Sequence, residues 1–193
     1  MADGRVLIGF SEPWAAAYAV SGGAIVYSDA MKLGRGVSVS LEMEDSSDTT
    51  DFYADNVLAE SIAGTFTGGT LTLTVDGMKD NARKFLLGLS TASATWYSFD
   101  DDQQIPDVGV GFICKYISAG VESYVPVVLA KCKFKNPGLD AETQGESPDF
   151  QTEELEASVM RGDDAKHTWK YLGEEASTEA AALTKLKAKL GVS

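Results

Sequence analysis

Histidine is nearly missing from this sequence. His167 is the only one, and Cys114 and Cys132 are the only cysteines. A zinc site needs about four nitrogen or sulfur ligands, so the chain cannot assemble one from a His/Cys cluster, and a Ser-His-Asp site would rest on a single late histidine. The sequence has no CxxC, no GxxxxGK[ST] and no GxSxG. Gly34-Arg35-Gly36 and Gly109-Val110-Gly111 each supply two glycines of a dinucleotide fingerprint but lack the third and a following helix, so they read as strand-edge glycines. Long apolar runs are missing too. Nowhere do the roughly 18 consecutive apolar residues of a membrane span occur, and the stretch after Asp3 and Arg5 lacks the form of a signal peptide. The expectation is a protein that does not insert into membranes, made in a reducing cytoplasm with free thiols.

Bases are scarce as well: 16 Lys and Arg stand against 29 Asp and Glu, for a net charge of −13. Phosphate affinity comes from cations that release counterions, so a tight DNA-backbone binder is excluded, although such a chain can lie beside DNA without sticking. Carboxylates gather at Glu42, Glu44, Asp45, Asp48 and Asp51, and again at Asp100, Asp101 and Asp102. A calcium loop or a glycosidase pair could be drawn from either. Neither has the DxDxDG register, and acidic runs are usually solvated loops. With no site to argue from, the expectation is no catalysis, no cofactor and no metal.

What the sequence does have is alternation of period two, in a chain of 193 residues that suits one domain with a real core. From Gly36 to Met43, Val37, Val39, Leu41 and Met43 share one face and Ser38, Ser40 and Glu42 the other. Leu71, Leu73 and Val75 alternate with Thr70, Thr72 and Thr74. Both read as half-buried strands. Gly68-Gly69 has the form of a two-residue hairpin turn, which would set Phe66 opposite Leu71 and Thr65 opposite Thr72. Met78, Ala82, Phe85, Leu86 and Leu89 then recur at helical spacing, with Asp76 placed to cap and Gly88 to stop.

Two later strands carry the cysteines. Val108, Val110, Phe112, Cys114 and Tyr116 form one apolar face. Val128, Ala130, Cys132 and Phe134 form another, with Lys131, Lys133 and Lys135 on the opposite side. Both thiols are thus expected to point into the core as small hydrophobes. Asn136 to Asp149 reads as a long polar loop, uncommon unless it has work to do. Glu154, Glu156 and Ser158 then alternate with Leu155, Ala157 and Val159, a short strand follows near Thr168 to Leu172, and a helix runs from Thr178 to Leu190 with a stripe of Leu183, Leu186 and Leu190. Its acidic start and basic end suit the helix dipole.

In order and spacing these pieces resemble the phi13-type major tail proteins of siphophages that infect Gram-positive bacteria. The match is carried by Tyr53-Ala54-Asp55-Asn56, Thr67 to Leu73, Leu86-Leu87-Gly88, Val110-Gly111-Phe112, Lys131 to Phe134 with Pro137 beyond, Thr143 to Glu146 and Phe150-Gln151-Thr152. It spans roughly residues 27–171, and residues 1–26 and the last helix read as extensions of that core. The resemblance implies a mainly β fold, a β-sandwich or half-barrel with one flanking helix and a short C-terminal helix. It further implies hexameric rings stacked into a tail tube in the virion, assembled in the host cytoplasm. The implied partners are further copies of the chain, a tape-measure protein, and tail terminator and baseplate proteins, with DNA passing through unbound.

Within that picture, Lys131, Lys133 and Lys135, Glu154 and Glu156, and the loop residues Leu139, Asp140, Glu142, Gln144 and Glu146 are candidates for contacts between subunits. Glu42, Glu44, Asp45, Asp48 and Asp51 are candidates for the lumen. The lysine row has an equally weighted alternative, an ion ladder with Glu154 and Glu156 inside one subunit. Two other functions stay open: a β-sandwich module binding carbohydrate or a cell surface, and a type VI secretion tube protein.

Overall fold

The computed structural model describes residues 4–45, 50–54, 57–62, 65–93, 96–139 and 151–192. The alternating segments become strands: β1 (Val6–Ser21), β2 (Ala24–Lys32), β3 (Gly36–Asp45), β4 (Thr50–Ala54), β5 (Val57–Ile62) and β6 (Phe66–Val75). After helix α1 (Asp80–Leu87) come β7 (Ser90–Ser93), β8 (Trp96–Ser98), β9 (Val108–Ser118), β10 (Val121–Phe134), β11 (Glu153–Met160) and β12 (Lys170–Leu172), and α2 (Glu179–Lys189) follows. One antiparallel sheet runs in the order β2-β1-β9-β10-β11-β6-β3, with β12 on β10 beside β11. The β4–β5 and β7–β8 hairpins stand apart from it. The fold is mainly β, an open sheet curled toward a half-barrel with two helices.

The sheet curls around a first core of Leu71, Leu73, Val75, Val110, Phe112, Leu129 and Leu155, which α1 covers with Ala82, Leu86 and Leu87. Curling brings the ends together. The Phe10 ring on β1 occupies the space a side chain at Gly36 would need, since a Cβ there would meet ring carbons at 2.3–2.9 Å. On the other face α2 lays Ala182, Leu186 and Leu190 over Ile113, Val128, Ala16 and Tyr27. Thr178 caps α2, its hydroxyl accepting from the Ala181 N–H at 3.3 Å. Val6–Ser21, within the segment expected as an N-terminal extension, is β1, an interior strand between β2 and β9.

Four local expectations are corrected. Gly68-Gly69 is not a turn, because β6 runs straight through both. Leu71 lies opposite Leu41 and Ala157 rather than Phe66. A Cβ at Gly69 would sit 2.6 Å from the Glu42 carbonyl oxygen, so glycine there allows a close strand approach. Two-residue turns with positive φ lie elsewhere, at Gly22-Gly23 (φ 59° and 78°) and Ala119-Gly120 (φ 49° and 81°).

The second correction concerns α1, which starts at Asp80 and has no side-chain cap. Asp76 binds Arg35 instead, accepting from its backbone N–H at 2.7 Å. Gly88 ends the helix as expected, in the left-handed region at φ 61°. Third, Gly109 and Gly111 are not at an edge. They lie mid-sheet where the Tyr27 ring and Leu186 press on β9, leaving 2.3 Å and 2.7 Å for a Cβ.

Last, Val128 and Cys132 do not share a face. A bulge between Leu129 and Cys132 reverses the parity of β10. Val127, Leu129, Cys132 and Phe134 all reach the first core, while Val128 faces α2.

Candidate functional site: a bare polar face of the sheet

Strand alternation places Val39 and Leu41 on β3, Leu71, Leu73 and Val75 on β6, and Leu155, Ala157 and Val159 on β11 against the first core. The intervening residues must therefore stand on the opposite face, and among the described residues no helix covers them there, because α2 lies over β9 and β10. The register sets them in rows. Thr74 pairs with Ser38 on one side and Glu154 on the other, Thr72 with Ser40 and Glu156, and Thr70 with Glu42 and Ser158. Ser158 in turn pairs with Lys133 on β10. The Ser38 hydroxyl donates to Thr74 Oγ1 at 2.9 Å, one rung of this hydroxyl lattice. Three adjacent strands thus present Ser, Thr and Glu with no large apolar side chain among these rows.

Two of the residue groups picked from sequence meet on this face: the carboxylates Glu42, Glu44, Glu154 and Glu156, and the lysines at its border. Glu44 and Asp45 end β3 in the open. Lys135 is ion-paired with Glu156. Lys133 is exposed and has no ion pair among the described residues. Lys131 behaves differently. Its side chain is 16% exposed, with Nζ 2.7 Å from Asp163 and 3.4 Å from Asp107. Tyr18 completes this knot, donating to Asp163 Oδ2 at 3.1 Å and accepting from the Asp163 N–H at 2.8 Å. Hydrogen bonding to Asp163 raises the Lys131 pKa, and Lys131 followed by Tyr18 lowers that of Asp163. Lys131 therefore joins β10 to β1 and to the turn after β11.

Asp51 pairs with Ser61 in the β4–β5 hairpin. Leu139 is 90% exposed. Asp48, Asp140, Glu142, Gln144 and Glu146 lie outside the described residues. Sequence reading missed Asp107, Asp163 and Tyr18 as partners of Lys131, since nothing in local spacing signals a contact so distant along the chain. Trp96, Tyr97 and Phe99 are all exposed around β8, next to Asp100 to Asp102.

Both cysteines are free and buried, and burial pushes both thiols up. A buried thiol with a raised pKa is a poor nucleophile. Cys114 and Cys132 should therefore label with a thiol reagent only after denaturation, and Cys→Ala at either site should cost about 1–2 kcal/mol. Rapid labelling of the folded protein would contradict the burial. Among the described residues no three His, Cys, Asp or Glu side chains gather as a metal site, and no helix is long and apolar enough to cross a membrane.

No protein-family model matches the chain, and no curated protein matches it. The functional reading therefore rests on geometry and on the resemblance described above.

Proposed function

We propose that this chain is the structural subunit of a bacteriophage tail tube, closing with further copies into hexameric rings that stack into a conduit for DNA. The observation that carries the reading is the bare Ser/Thr/Glu face across β3, β6 and β11. A wall that passes DNA has to offer hydration without cationic grip. Hydroxyls supply the first, and carboxylates repel phosphate over about one Debye length, ~10 Å at 0.1 M salt. Of the lysines bordering this face, Lys131 and Lys135 are ion-paired, which leaves Lys133 without an ion pair among the described residues. Assembly has a ready route, because β2 and β3 end the sheet and, among the described residues, their outer edges pair with no further strand. Val26 and Val37 stand on those edges at 45% and 54% exposure. The tape-measure, terminator and baseplate partners follow from the resemblance.

A second reading, a carbohydrate- or surface-binding module, is favoured by one observation, the exposed aromatics Trp96 and Phe99 beside Asp100 to Asp102. Light scattering on the concentrated protein separates the two. The tube reading expects the mass of six chains or of larger stacks. A strictly 20.5 kDa monomer in virion-like salt would sink it.

A further inference from the structure

Beside α2 the sheet leaves an apolar groove of about 230 Å³, bounded by Pro126, Val128, Tyr171 and Leu172 and rimmed by Lys185 and Lys189. It is smaller than the roughly 300 Å³ at which small-molecule sites begin, and suits one or two side-chain anchors better than a cofactor. Leu172 stands 66% exposed at its mouth. Lys189 Nζ lies 3.6 Å over the Tyr171 ring, and Lys185 Nζ donates to the Glu174 backbone oxygen at 3.2 Å and lies 3.5 Å from the Glu174 carboxylate, which is 94% exposed. Such an exposed pair is weak and readily exchanged.

The chain also carries a projection with the opposite character. Around β8, Trp96 is 73% exposed, Phe99 56% and Tyr97 37%. The exposed run Asp100 to Asp102 follows directly. Tyr97 lies under Lys84 of α1, whose Nζ is 3.9 Å from the ring centroid. This fixes the projection beside α1, on the first-core face of the sheet. The groove belongs to the α2 face. The two features therefore point to opposite sides of the sheet, where they serve a neighbour better than the chain that carries them.

We propose that in the assembled tube this groove is filled by the Trp96–Phe99 segment of a second copy of the chain. Buried aromatics would be the anchors and the Asp100 to Asp102 run would meet Lys185 and Lys189. The inference rests on the tube reading and names one of its contacts. Charge supports the choice. Chains of net charge −13 repel one another, so contact is favoured where one copy offers lysines to the acids of the next. A second basic hollow, at Lys32, Arg35 and Lys79, is less suited, since Lys32 is paired with Glu12 and Arg35 with Asp76. A projection and a groove on opposite faces make a heterologous contact, the kind that propagates into rings or helical stacks.

The test compares assembly of variants by light scattering over a concentration series. Replacing Trp96 and Phe99 with Ser should raise the concentration for half-assembly by about thirtyfold, the loss expected of one interface hot spot. The melting temperature of the dilute subunit should hold, since both side chains are exposed. Reversing Asp100 to Asp102 to Lys should do the same, and combining that variant with one carrying Lys185→Glu and Lys189→Glu should restore mixed assembly. A mixture of Phe99→Cys and Leu172→Cys proteins should form a disulfide dimer on oxidation, because the native cysteines are buried. The inference fails, with the tube reading intact, if wild type assembles and the serine variant assembles at the same concentration. It fails too if the groove variant alone loses assembly, which would give the groove to another occupant. A wild-type protein that never assembles removes both.

Discussion

Gly69→Ala is expected to lower the melting temperature by roughly 5–10 °C, while Gly68→Ala should be nearly silent. The two glycines are adjacent, and only geometry separates them. A Cβ at Gly69 would stand 2.6 Å from the Glu42 carbonyl oxygen, a backbone atom that cannot swing aside. One at Gly68 would find its nearest neighbour, the Val159 oxygen, at an ordinary 3.7 Å. The methyl at position 69 must push β3 from β6 opposite Met43, two residues from where the core residues Leu41 and Leu71 face each other. A loss of about 2–3 kcal/mol is what such overpacking produces. Were the pair a tight turn, both positions would need positive φ and both substitutions would hurt. Equal losses would return Gly68-Gly69 to a turn and undo the continuous β6.

Of the three lysines on β10, Lys131→Glu should cost the most, roughly 5–10 °C, with Lys135→Glu costing little and Lys133→Glu almost nothing. Lys131 is the one largely withdrawn from water, and its reversal would set three carboxylates against one another beside Tyr18. Lys135 loses one exposed pair with Glu156, and Lys133 loses none. Acidity gives a second check. Asp163 is held below its ordinary value, so its contribution is present above about pH 4 and is lost as pH falls through the lowered value. Lys131 is held above its ordinary value, so its contribution disappears only as pH rises through that raised value. The gap in melting temperature between wild type and Lys131→Met should therefore be steady near neutrality and shrink in strong acid. A gap that widens below pH 4 would mean that the Lys131–Asp163 pair is not its source.

Where burial is one-sided, alternation is enough: Leu71, Leu73 and Val75 and Leu155, Ala157 and Val159 lie inward as period two requires. The helix stripe of Leu186 and Leu190 was equally visible, because nothing else explains apolar residues at that spacing. Alternation breaks down where both faces are covered. On β9 and β10 the second cover is α2, and Gly109, Gly111 and Ile113 are as buried as their neighbours. Inside such a run a bulge leaves no mark, so the parity change before Cys132 was illegible. Gly-Gly carried the right turn chemistry, but it applied at Gly22-Gly23 and not at Gly68-Gly69. The choice depends on which backbone passes alongside, which is tertiary information. The polar face was half legible. Each row of Thr or Glu shows in its own strand, and only the register between β3, β6 and β11 assembles them into one surface.

The lysine row had two alternative readings, an ion ladder with Glu154 and Glu156 inside one subunit or a contact between subunits; of the ladder, Lys135–Glu156 is present, while Lys131 pairs with Asp163 and Asp107 instead. Lys131 and Lys135 are satisfied inside the chain, which leaves Lys133 as the member free to meet a neighbouring subunit. In the proposed tube the Ser/Thr/Glu face lines the channel and the strand edges join copies.

Electron microscopy of the concentrated protein tests that claim most directly. Hollow rings or tubes of sixfold symmetry are expected, in which an averaged map places β3, β6 and β11 on the inner wall with Glu42, Glu154 and Glu156 toward the lumen. Isolated particles of single-chain size would contradict it, and so would rings whose inner wall is formed by α2.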